Sequence, residues 1–460
     1  MRLDKMPACR RGRGFALIVS MIFVLVFSAL AISMAAISGT NMQVADNLCK
    51  ANRARASAES GLEILRSWLS NVSISGNTPE SLRFTEIISS LSSYMAANSS
   101  VQVQCIGGEI AIPSVTLDAE NARGFSATIR QADPDTLQLR VTGVCGSFSR
   151  TIGVDYEFSQ RAHTVFDFGV ASKGPLSLTG NVELEGTTVS VDASVYIESE
   201  TSNLALSIAG NSHIAGDVKI VNPIANVDLQ GRKAGIGGET GADAIANHVE
   251  FGVAPSEFPE PTPGQFESFI VNTINANTNT TADATFDNVR ILAGTNPTFA
   301  GHVTLRGIVF IETPNVVTFT GTTDVIGIIV GDGSTADNSA VNRISFGGNV
   351  HSQPVTGLPD EAQFEGIRGE TGTFVMAPGF HISFGGSFDT LSGAIAGNGI
   401  EFRGNAGGTI NGSIINYSDE EMILQGNSDL YFNRSGIEEA PAGFVPEIVL
   451  QYNPESYSEM

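Results

Sequence analysis

Charge is scarce in this chain: only 16% of its 460 residues are Asp, Glu, Lys or Arg, against roughly a quarter in ordinary globular proteins. Basic residues are scarcer still, 25 against 48 acidic, for a formal net charge of −23. Such a surface repels phosphate backbones, which excludes nucleic acid as a partner and leaves a chain that stays soluble outside a cell. Histidines number six and cysteines four. No His or Cys pair has metal-ligand spacing, so no metal or other cofactor is expected. There is no G-x-S-x-G, no H-E-x-x-H and no phosphate loop; "GIGGETG" (235–241) lacks Lys and Ser/Thr in the phosphate-binding register. The single tryptophan, Trp68, stands at the end of a helical stretch and offers no sugar-stacking platform.

What the chain does have is a long apolar run. Residues 15–37, from Phe15 to Ile37, carry no charge. Twenty-odd apolar residues at 1.5 Å each span a bilayer core of about 30 Å and exceed the 7–15 residues of a signal-peptide core. Arg10, Arg11 and Arg13 on the N-terminal side predict a cytoplasmic N-terminus and an exported remainder. "SMAA" at 33–36 keeps a cleaved signal peptide open as an alternative. The pattern then continues: Val44, Leu48, Ala51, Ala58, Leu62, Leu65 and Leu69 fall mostly three or four apart, one face of a helix, with Asp46–Lys50 and Arg55–Glu59 at i,i+4. A helix over 15–70 results, apolar first and amphipathic after. A plain anchor needs no such extension.

Glycine is abundant, at 50 residues, and two regions come after the helix. Residues 71–162 read as an α+β head: a short helix in "SLRFTEIISSLSSYM", then strands "VQVQC", "FSATIRQ", "LQLRVTGV" and "FSRTIGVDYEF", with a turn at "ADPDT". Cys105 and Cys145 lie on two of these strands, and an exported domain would leave them either bridged or as two buried free thiols. From 163 to 440 a strand–Gly unit recurs: "LSLTGN" (176–181), "LSIAGN" (206–211), "VTFTGT" (317–322), "ISFGGN" (344–349), "ISFGGS" (382–387), "IEFRGN" (400–405). Close copies stand 18 to 27 residues apart. That predicts an all-β domain, an irregular β-solenoid whose coils turn at Gly or Asn, with a β-sandwich as the competing fold. The expectation includes an insertion at 231–265 projecting from the coils, a tail at 441–460, and Phe next to the turns facing inward.

The candidate chemistry in that domain is weak. Asp332 and Asp337 in "GDGSTADNS", Asp360 with Glu361, and Glu365 near Arg368 are the carboxylates a polysaccharide-cleaving solenoid would need, but their spacing matches no metal loop. Solvated turns are the reading, and the chain is not expected to be an enzyme.

The stretch "RGRGFALIVSMIFVLVFSALAISMAAISGTNMQVADNLCKANRARASAESGLE" resembles the N-terminal segment of PilX-type minor pilins and, more broadly, type IV pilins and type II pseudopilins. An "RG-x-ALV" run opens the family's helix and an "A-x-E-(A/S)-G-L" motif closes it; here the latter is "ASAESGLE" (56–63). The resemblance covers about 50 of 460 residues. It implies a leader at 1–14, cleavage by prepilin peptidase between Gly14 and Phe15, methylation of Phe15, insertion in the bacterial inner membrane, and packing against other pilins in an extracellular filament. Phe15 and Val19 are the implied assembly positions, and Glu59 reads either as an assembly contact or as a solvated helix carboxylate. Major pilins carry Glu at the fifth mature position where this chain has Val19, a departure that implies a tip or priming place. The function expected is a non-enzymatic structural subunit displaying an acidic β-domain toward a surface or polysaccharide ligand. The alternatives are a membrane-anchored adhesin or envelope protein that never polymerises and, more distantly, a secreted β-helix enzyme acting on polysaccharide.

Overall fold

The computed structural model describes residues 13–98, 101–106, 108–199, 202–337, 340–435 and 439–460. The chain folds as two compact units. The first joins the N-terminal helix, the segments through Ser159 and the stretch Val449–Met460; the second holds Gln160–Ile448 with Ser75–Asn77.

In the first unit, helix α1 (Arg13–Leu69) is continuous over 57 residues, about 85 Å at 1.5 Å per residue. No proline interrupts it, and Asp46–Lys50 (2.6 Å) and Arg55–Glu59 (3.0 Å) pair along its polar side. A second helix, α2 (Glu80–Asn98), begins just after Pro79 and buries Ile87, Leu91 and Met95 at i,i+4 spacing. The sheet uses β1 (Ser73–Ser75), β2 (Gln104–Ile106), β3 (Glu109–Asp118), β4 (Arg123–Asp133), β5 (Thr136–Cys145), β6 (Phe148–Arg161) and a C-terminal strand, Glu447–Glu459. Its order is β1, the C-terminal strand, β6, β5, β4, β3, β2. Strict alternation in β5 buries Leu137, Leu139, Val141 and Cys145.

One expectation fails here, and of the two readings left open for the cysteines the bridge is excluded, with Cys145 buried and Cys105 exposed. The stretch 441–460 is no free tail, because Glu447–Glu459 lies between β1 and β6 in the sheet. Cys105 and Cys145 are free thiols. Cys105 sits on β2 and Cys145 on β5, with β3 and β4 between them. Three strand spacings of about 4.8 Å separate them by about 14 Å, twice what a disulfide bridges.

The second unit is built from parallel ladders. Among the described residues its sheets have twelve, nine and seven strands, parallel throughout the described pairings except the short antiparallel pair Gly235–Ile236 with Glu239–Thr240. The chain passes through the three ladders in turn, as in Val170–Ser172, Leu176–Gly180 and Glu183–Gly186, before starting the next rung. At the corner between the second and third ladders, the first two rungs carry glycine with φ in the left-handed region, Gly180 at 111° and Gly210 at 81°. A Cβ at 210 would meet the Gly180 carbonyl oxygen at 2.5 Å, so the corner takes no larger residue. The asparagines next in the chain hydrogen-bond from rung to rung: Asn211 Nδ2 donates to Asn181 Oδ1 (2.8 Å) and Asn181 Nδ2 to Asn427 Oδ1 (2.9 Å).

Rung order departs from chain order. From Val170–Ser172 the chain moves outward through Val195–Ile197 and Val218–Ile220 to Val249–Phe251. It resumes at Asn272–Ile274, at the opposite end of the twelve-stranded sheet, and returns until Ile414 pairs with Val170. The first rung therefore lies inside the stack, against the last. Part of the expected 231–265 insertion is consequently stack: Gly235–Ile236 extends the ladder of His213–Ile214, and Val249–Phe251 forms a rung. Residues 252–270 run over the outer face of the twelve-stranded sheet, where Phe266 is fully buried and Tyr417 Oη donates to the Pro259 carbonyl (2.6 Å). Where that sheet is covered on both faces its strands run continuously buried, as at 307–311 within Val303–Ile311. Inside, Phe299, Phe319, Phe346, Phe384 and Phe402 stack in one column, 4.9–5.0 Å between ring centroids.

Candidate assembly helix and polar recess

The two halves of α1 have opposite fates. From Phe15 (76% exposed) through Ile37 the large apolar side chains other than Val19 lie bare, and the helix is long and apolar enough here to cross a membrane. Ala54, Ala58, Leu62, Leu65 and Leu69 are buried, spaced as one helical face against β4 and β5. The "ASAESGLE" stretch supplies the closest approach. A Cβ at Gly143 of β5 would lie 2.2 Å from Ala54 O and Ala58 N, and one at Gly61 would lie 2.5 Å from the Phe125 ring. Ser57, fully buried, donates to Arg53 O (2.9 Å) and accepts from Arg123 Nε (3.2 Å). Small residues on both surfaces let backbone meet backbone, and that is what the motif does physically.

Residues 13–63 match the family model described as PilX N-terminal. The N-terminal segment is type IV pilin-like. No curated protein matches the chain. Among solved structures, the competence-associated pilin ComZ from Thermus thermophilus is 13% identical at a TM-score of 0.22, over 89% of this chain and 97% of that one. An ice binding protein from an Antarctic Biological Consortium is 12% identical at 0.21, over 58% and 89%. Likenesses at such scores carry no argument.

The expected positions of the PilX-type segment can now be placed. The Gly14–Phe15 bond lies in the first turn of α1, whereas leader residues 1–12, Cys9 among them, lie outside the described residues. Val19 is half-buried. Glu59 is paired within its own helix to Arg55, which also reaches Glu459 (2.7 Å). Both pairs are half exposed and contribute little to stability.

The carboxylates singled out in the β-domain do not converge. Asp332 Oδ1 accepts from Gly333 N and Asp337 Oδ2 from Ser334 N, each at 2.7 Å, which makes them turn residues. Asp360 pairs with Arg368 at 2.8 Å on the surface. Glu183, Glu185 and His213, which no sequence motif marks, do come together: one ligand atom of each lies within 4.8 Å of the others. Glu183 and His213 border a recess of about 500 Å³ lined also by Asn181, Asn211, Arg232, Lys233 and Glu239. A signal is nonetheless present in the repeats. Aligning "TGNVELEG" with "AGNSHIAG" on Gly180 and Gly210 sets Glu183 over His213, the register the ladder adopts.

Proposed function

We propose that this protein is a non-enzymatic minor pilin or pseudopilin, a structural subunit of a type IV pilus-like filament. Prepilin peptidase cleaves between Gly14 and Phe15, Phe15 is N-methylated, and the helix sits in the bacterial inner membrane with its N-terminus cytoplasmic before joining the filament. The observation that carries the reading is the division of α1 into a bare apolar half and a docked half within one unbroken helix. The docked half fixes the helix to its own sheet, and the bare half leaves a surface for lipid and then for the helices of other pilins. Phe15 and Val19 lie on that bare half. Val19 offers no carboxylate to the N-terminus of a preceding subunit, which supports a tip or priming place.

The displayed domain is read as an acidic β-solenoid. Parallel pairing through successive rungs supports it over a sandwich, whose sheets are antiparallel. Its role is assembly, adhesion or contact with a surface or polysaccharide. The second reading is a membrane-anchored adhesin that does not polymerise, which the same exposed helix favours.

Mass spectrometry of the N-terminus of protein recovered from cells separates them. An N-methylated Phe15 supports the pilin pathway. An intact Met1 leaves the anchored adhesin, and a start after Ala35 or Ala36 defeats the filament model.

A further inference from the structure

We propose that Glu183, Glu185 and His213 bind one divalent transition-metal ion of the zinc class, held across two adjacent rungs of the stack. Glu183 and Glu185 stand at i and i+2 on the strand Glu183–Gly186, so they share one face. His213 on the neighbouring parallel strand is the register partner of Glu183. His213 Nε2 and Glu185 Oε1 are 3.3 Å apart. Donors at about 2.0–2.2 Å around tetrahedral zinc are about 3.3–3.5 Å from one another, so this pair already has the length of one tetrahedral edge.

Glu183 is the second, separate observation. It is half-buried, yet among the described residues its carboxylate has neither a hydrogen bond nor an ion pair. Here it sits beside an imidazole and another carboxylate, where a cation would compensate all three. The next rung adds to the negative potential: Asp429 pairs in register with Glu183 and Tyr431 with Glu185. Arg232 and Lys233 line the same recess and are the cations with which the ion competes.

The donor set selects the ion. Calcium and magnesium take all-oxygen shells, whereas one imidazole with two carboxylates suits zinc and its neighbours. Three protein ligands leave a coordination position, and the recess of about 500 Å³ has room for water or a ligand oxygen there.

The test is isothermal titration calorimetry of the full-length protein in detergent, with zinc chloride alone and with calcium chloride alone. Zinc is expected to bind at one equivalent, weakened at least about tenfold by His213→Ala and by Glu183→Gln, the range even outer partners of a metal site reach. Glu183→Gln removes charge and keeps shape, so it protects the test if His213→Ala misfolds. His351→Ala, in an exposed pair with Asp389 (3.2 Å), should leave zinc affinity unchanged. No zinc heat, equal affinity in native protein and Glu183→Gln, or calcium binding as tight as zinc would each overturn the assignment.

Discussion

Gly143 of the head sheet lies beneath Ala58 of the long helix so closely that a Cβ at position 143 would fall 2.2 Å from the Ala58 amide nitrogen. The neighbouring atoms are helix backbone, which cannot step aside as a side chain can. Gly143→Ala must therefore lift the helix off β5 or distort the strand, and overpacking of this kind costs about 1–3 kcal/mol. Thermal unfolding of the full-length protein in detergent should show the loss. Ala58→Gly, which adds no atom at this contact, should not reproduce the steric part of it.

Phe346 stands third in the column of five rings, 5.0 Å from Phe319 and 4.9 Å from Phe384, and is 1% exposed. Phe346→Ala removes both stacking partners at once and leaves a cavity that rigid rungs above and below cannot collapse. The expected cost is about 3–5 kcal/mol. Phe346→Leu keeps most of the volume and should cost much less. Denaturant unfolding of the two variants gives the comparison, and equal midpoints would contradict the stacked-core account.

Much of this architecture is written locally. The apolar spacing from Phe15 to Leu69 specifies a helix, because each turn repeats the same demand. "SFGG" and "TFTG" specify inward Phe beside a tight corner. The rung order is not legible, since pairing of Ile414 with Val170 joins residues far apart by contacts that leave no local periodicity. The C-terminal strand is hidden for the same reason: "EIVLQYNPESYSE" alternates only in part and its neighbours β1 and β6 are remote in sequence. Cys105 and Cys145 mislead because a strand pattern shows which face a residue takes but not how many strands intervene. Glu183 and His213 become readable only once the repeats are aligned.

Asn288 is fully buried with φ at 45°, in the left-handed region. Its Nδ2 donates to the Gln363 carbonyl (2.9 Å) and its Oδ1 accepts from Ile308 N (3.0 Å). Asn288→Gly keeps the backbone comfortable and strands both partners, at about 1–3 kcal/mol for each group left unsatisfied. Asn288→Ala adds the backbone penalty and should be worse than the glycine variant. Midpoints from urea unfolding rank the two, and the reverse order would show that backbone strain is not felt at this site.

All six histidines lie within 3.8 Å of a carboxylate oxygen, and at His302 this pairing makes stability depend on pH. Its Nε2 lies 2.5 Å from Asp324 Oδ2 on the adjacent rung. The hydrogen bond to Asp324 first, then the charges of Asp324 and Asp283, raise the His302 pKa above the ordinary histidine value. The folded state therefore holds this proton more tightly than the unfolded chain does. The stabilisation is complete below about pH 6.5, where both states are protonated, and is lost as pH rises through the higher folded pKa. Asp324→Asn should bring the His302 pKa down in an NMR titration. Its melting temperature should fall below that of the native protein in acid and converge on it in mildly alkaline buffer. A difference that stays constant across that range would show that the pair acts through packing rather than charge.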